Sequence, residues 1–167
     1  MLRPLFFALA VICAPCNAAS PVRDRAEIDA AVEKLANLYS DGLAISYPQF
    51  RHVQFGKIFN AKLDDAVVLF ALEGFHGGNA QSEYLAFFAA VEPEDWPGHK
   101  QHRYRLVAVR QVGGRTWRSF DFETMKPKPD AVEIAGTAWA ESDPGCCPSL
   151  PIRLTFVVKD GSVAEVK

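Results

Sequence analysis

"RYRLVAVRQVGGRTWRSFDFE", residues 103–123, decides how the rest of the chain is read. Two runs of strand-forming residues flank Gly113-Gly114, and such a pair suits a two-residue hairpin turn that needs positive φ. A turn at that point sets the register. It places Val107 opposite Phe120, Val109 opposite Arg118 and Arg105 opposite Phe122 on one face. The other face pairs Ala108 with Ser119 and Arg110 with Trp117. The first face is the more apolar and is expected in the core, with Arg110 over Trp117 outside.

Upstream of the hairpin, "RHVQFGKIF" alternates at period two, "NAKLDD" reads as a turn, and "AVVLFALEG" is a nearly unbroken apolar run. A strand that apolar is expected to be central and covered on both faces. "SEYLAFFAAVE" fits a buried strand by its aromatic content, although Tyr84, Phe87, Phe88 and Val91 also suit one helix face. Downstream, "KPKPD" reads as a linker, and "AVEIAGTAWAE" and "IRLTFVVKDGSVAEV" as strands, the latter broken by a compact turn at Asp160-Gly161. The one clear helix is "DRAEIDAAVEKLANLYSDGL". Asp24 and Glu27 match a capping box, Ile28, Val32, Leu35, Leu38 and Tyr39 form an apolar stripe, and Gly42 is a natural stop. The predicted fold is therefore α+β: a mainly antiparallel sheet of about six to seven strands with one N-terminal helix packed on one face. Residues 20–167 read as a single domain, without repeats.

Residues 1–19 are set apart from that domain. Arg3 gives a short positive region, Leu5 to Cys13 an apolar one, and Ala14, Cys16, Ala18 and Ala19 a small-residue exit. This is the layout of a secretory signal peptide cleaved after Ala18 or Ala19. Ile12 and Pro15 precede the two cysteines of this segment, a poor context for lipid attachment, so a soluble periplasmic or secreted protein is expected. Its removal leaves 17 basic and 20 acidic residues, a net charge near −3 with histidines neutral. Nothing in that balance points to nucleic acid, and no second long apolar run points to a membrane span.

Motifs with possible chemistry have simpler readings. Gly74, Gly77 and Gly78 in "EGFHGGN" match neither a dinucleotide fingerprint nor a P-loop. His99 and His102 share a spacing used by some metal sites, but a loop gives that spacing little geometry. "NAKLDDA" has Lys62 where a calcium loop needs an oxygen ligand and Asp65 where it needs glycine, so a turn held by Asn60 and Asp64 is expected. Lys100, Arg103, Arg105, Arg110, Arg115 and Arg118, with His102 when protonated, lie without an intervening acid. They read as a solvated strand face whose arginine stems cover aromatic edges, and otherwise as a surface for an anionic cell-wall polymer. No serine stands in a nucleophile elbow, and Asp64 and Asp65 would point to opposite faces of a strand. His52 and His76 have no identifiable partner either, and no catalytic, cofactor-binding or metal-ligating residue is assigned.

The remaining feature is "ESDPGCCPSLP", residues 141–151. Once the signal segment is removed, Cys146 and Cys147 are the only cysteines, in a compartment where thiols oxidise. Adjacent Cα atoms lie ~3.8 Å apart, closer than the roughly 4.4–6.8 Å of ordinary disulfides, so a bond between them is strained and readily reduced. A vicinal disulfide that stiffens the loop, a reduced pair and a bridge to another chain all remain open, the first being the expectation. "DPGCCPS" resembles the D-x-x-CCPS signature of small exported bacterial proteins related to the LppP/LprE-type lipoproteins. "LDDAVVLFALEG", "GGN" before "EYLAFFA", and "YRLVAVRQVGGR" are similar in order and type to segments of those proteins. The resemblance implies an envelope or secreted location and supplies no catalytic residue and no cofactor. The expected function is a non-catalytic binding or structural domain that meets an envelope protein or a cell-wall component. The alternative is a thiol–disulfide redox protein using Cys146 and Cys147.

Overall fold

A computed structural model describes residues 21–75, 80–92, 103–144 and 147–166. The expected signal peptide at residues 1–19 lies outside them. The architecture is one helix, α1 (Pro21–Ser40), and one antiparallel sheet of eight strands. The strands are β1 (His52–Gly56), β2 (Asp65–Glu73), β3 (Gln81–Ala90), β4 (Tyr104–Gly114), β5 (Arg118–Lys128), β6 (Ala131–Ala138), β7 (Leu150–Lys159) and β8 (Ser162–Val166). They lie side by side in chain order, so the sheet is an uninterrupted meander. The helix and antiparallel sheet agree with the predicted class, while the sheet is larger than the expected six to seven strands.

Two apolar clusters explain the unbroken apolar runs at 66–72 of β2 and 84–90 of β3. Ala66, Val68, Phe70, Tyr84, Ala86 and Phe88 face α1 through Ile28, Val32, Leu35 and Ala36. The alternate residues Val67, Leu69, Leu85 and Phe87 face Phe120, Met125, Val132, Ile134, Phe156 and Val163. The meander thus folds over itself, its β5–β8 half covering the inner face of its β1–β4 half. Phe120 meets Phe156 edge-on at 5.7 Å within this core. Period-two alternation with both faces buried turns a strand into a continuous apolar run.

The helix departs from its predicted details. Asp24 lies within α1 rather than capping it, and its Oδ1 pairs with Arg103 at 3.2 Å. Glu27 Oε1 accepts the backbone N–H groups of Arg103 and Tyr104 at 2.8 and 3.1 Å, tying the helix to the start of β4. Leu38 is 77% exposed. At about 100° per residue it points away from the stripe through Ile28, Val32 and Tyr39, and Tyr39 contacts Tyr84 at 5.4 Å. The expected stop holds: Asp41 and Gly42 have positive φ, and Leu43 N–H bonds back to the Ser40 carbonyl.

The predicted hairpin register is corrected. Gly114 pairs with Arg118, so residues 115–117 form the turn and the glycines end β4. The pair serves close approach instead. A Cβ on Gly113 would lie 2.6 Å from Glu83 Oε2 and 2.8 Å from the Arg118 carbonyl. Beyond that point β4 and β5 separate into the two halves, which a hairpin reading cannot foresee. Phe120 is nonetheless buried and Trp117 exposed, with Arg118, not Arg110, over the Trp117 ring at 4.2 Å. "KPKPD" is not a linker. Lys126, Pro127 and Lys128 pair with Glu133, Val132 and Ala131, past an irregularity in β5 that accommodates the proline. The Asp160-Gly161 turn is as predicted, with φ of 52° and 72°.

In "NAKLDD" the organising residue is Asp65, whose exposure is 0%. Its Oδ2 accepts the backbone N–H groups of Ile58, Phe59 and Asn60, and its Oδ1 that of Ala90. Asn60 contributes as expected, accepting from Lys62 N–H at 2.8 Å. Asp64 instead pairs with Lys57 at 2.8 Å.

Candidate functional site

In an antiparallel meander successive connections alternate between the two ends of the sheet. The β2–β3, β4–β5 and β6–β7 connections therefore share one end. Arg115 N–H donates to the Gln81 carbonyl at 3.0 Å and Trp139 N–H to the Trp117 carbonyl at 2.9 Å, which joins all three. Gly74, the Gly113-Gly114 pair and Cys147 are thereby collected at one end. His76, Gly77 and Gly78 lie outside the described residues, as do His99 and His102 in the connection to β4.

The β6–β7 loop is closed by the two ends of its own signature. Asp143 Oδ2 accepts from Ala140 N–H at 2.7 Å and Ser149 N–H at 2.8 Å, while Ser149 Oγ donates to Oδ1 at 2.5 Å. These bonds, the Ser149 hydroxyl first, hold the Asp143 carboxyl below its ordinary range. Cys147 is exposed, and its N–H donates to the Pro144 carbonyl at 3.2 Å. Cys146 lies outside the described residues, so the expected vicinal pairing does too.

Between the two halves of the sheet, at the same end, is a half-open cavity of about 340 Å³. Phe50, Phe70, Phe120 and Phe122 supply aromatic walls, and His52, Glu73, Gln81 and Glu83 supply polar groups. The entry to β1 is fixed by Arg51, which is 4% exposed. Its guanidinium donates to Ser46 Oγ, to the Ser46 and Asp29 carbonyls and to Glu33. That anchor sets Phe50 and His52 at the cavity, where His52 stacks on Phe122. Burial first, then the charge of Arg25, lowers the His52 pKa, which keeps the imidazole neutral at pH 7.

Glu83 is the unusual group, a carboxylate 6% exposed that stands between the polar start of β3, Gln81 and Ser82, and its apolar run from Tyr84. Its Oε1 accepts from Ser119 Oγ at 2.6 Å and Gln81 Nε2 at 3.2 Å, and its Oε2 from Phe120 N–H at 3.1 Å. These bonds replace ladder bonds where β4 and β5 part. Burial raises the Glu83 pKa above the ordinary carboxylate value, against the opposing effect of its hydrogen bonds and of Arg118. Apolar walls with a few convergent polar groups, one with a perturbed pKa, are the usual makings of a ligand site.

Three residues of the basic stretch are committed within the fold. Arg103 pairs with Asp24, Arg110 donates to the Val163 carbonyl at 2.8 Å, and the buried Arg118 pairs with Glu165 at 2.8 Å. Among the described residues no group of three or more His, Cys, Asp or Glu side chains is placed to hold a metal ion. Also among them, no helix is long and apolar enough to cross a membrane. No protein-family model, curated protein or solved structure matches the chain. Sequence reasoning missed Glu83 and the cavity. The available signal was slight: an acid set between Gln81-Ser82 and the apolar run that starts at Tyr84.

Proposed function

We propose that this chain is an exported domain of a bacterial envelope or periplasm that acts by binding rather than catalysis. The observation that carries this reading is the cavity of about 340 Å³ at the end where three connections converge. A rigid sheet presenting convergent connections is a common platform for binding. The signal-like residues 1–19 and the resemblance of "DPGCCPS" to exported proteins support the location. Intact mass of protein purified from an exporting bacterial host should lack the first 18 or 19 residues and carry no lipid. An intact Met1, or a diacylglyceryl group on Cys13 or Cys16, overturns the location. A small-fragment screen read by NMR should shift resonances of Leu69 and Phe120, and a screen without such shifts overturns the binding reading.

A second reading, thiol–disulfide exchange, draws on the exposure of Cys147. A dithiol partner would then be oxidised as the Cys146–Cys147 bond takes up two electrons. The structural role is preferred, because Pro144, Pro148 and the Asp143–Ser149 clasp shape a turn rather than the helix start of a redox motif. Denatured, non-reduced protein should resist alkylation at both cysteines, and reduction should expose both. Replacing both with serine should lower stability only modestly, because the loop closed by the bond is minimal. Full alkylation without reductant, or a disulfide-linked dimer on a non-reducing gel, contradicts the intramolecular bond.

A further inference from the structure

We infer that the cavity beside Glu83 takes a small organic cation, a protonated amine on an apolar body the size of one aromatic ring. The inference rests on the binding reading above and adds the charge of the ligand. Glu73 and Glu83 bring carboxylates to the lining, and no lysine or arginine is among the described residues that line it. The nearby cations are engaged: Arg25 with Asp29 and the Arg51 carbonyl, and Arg118 with Glu165 and the Val112 carbonyl. The walls add to the preference, since aromatic faces carry negative quadrupole charge and attract a desolvated cation. Glu83 accepts three hydrogen bonds, and a carboxylate has about four acceptor positions, so one is left for an ammonium donor. Burial raises the Glu83 pKa and so opposes its ionisation, a cost that a cation beside it would offset. An anion would meet two carboxylates across a partly desolvated space.

Three probes of one shape separate the outcomes at pH 7: 2-phenylethylammonium, 2-phenylethanol and 3-phenylpropionate, titrated into the full domain by NMR. The ammonium probe should bind about ten-fold more tightly than the alcohol, the size expected of one close charge pair in a half-enclosed site, and the carboxylate more weakly than either. Glu83→Gln retains an oxygen for Phe120 N–H and should remove most of that ten-fold preference. Glu73→Gln, at a half-buried position, should reduce it and keeps the inference testable if Glu83→Gln fails to fold. Equal binding of all three probes, or tighter binding of the carboxylate, overturns the cation inference and leaves the binding reading standing. Absence of binding by every probe overturns the inference, and the fragment screen then judges the broader reading separately.

Discussion

Asp65→Ala is expected to lose about 3–5 kcal/mol of folding stability, well beyond the effect of its neighbour Asp64. The fully buried carboxylate is the acceptor for four backbone N–H groups, three from consecutive residues after β1 and one from the end of β3. Each buried donor left without a partner costs about 1–3 kcal/mol, and the sum is reduced where water enters the vacated space. Asp65→Asn should fall between wild type and alanine. Its single amide oxygen can take the three-amide side, but its NH₂ then faces the Ala90 N–H, donor to donor. Asp64→Ala removes an exposed ion pair with Lys57 and should change stability by less than about 1 kcal/mol. Urea melts of the three variants decide the matter. An Asp64 effect equal to that of Asp65 would mean that the turn, not the buried carboxylate, holds the β1–β2 connection.

Phe120→Ala should cost about 3–5 kcal/mol, whereas Trp117→Ala should cost about 1 kcal/mol or less. Phe120 is 7% exposed, meets Phe156 edge-on and fills the core where the two halves of the sheet face each other. Its removal takes away one wall of the cavity as well, so the site loses shape along with stability. Trp117 is 43% exposed in the turn and has the Arg118 guanidinium over its ring. Its loss gives up that contact and little buried area. Denaturant melts compare the two, and a larger loss for Trp117 would invert the assignment of faces.

The fold was legible wherever a pattern is local. Alternation in β1, the unbroken apolar run of β2 and the Asp160-Gly161 turn follow from period and turn chemistry, whereas the period of β3 suited a helix face as well as a strand. The glycine pair at 113–114 misled because the same residues serve two purposes. Positive φ in a hairpin and the close approach of another element both require a missing Cβ, and sequence does not distinguish them. The proline-containing segment at 126–130 misled for a similar reason: proline is read as a break, yet an irregular strand tolerates it.

Local sequence alone determined the helix and the antiparallel strands, since each depends on residues close in the chain. It also marked Phe120 as interior and Trp117 as exterior. Only the tertiary structure decided that the eight-strand meander closes over itself. That closure is a bargain between distant apolar faces, β2 and β3 against β5 to β8, and no local period encodes which faces meet. The cavity and the buried Glu83 follow from it, because the site exists only where two strands consecutive in the chain, β4 and β5, part company and a third strand's carboxylate completes their hydrogen bonding.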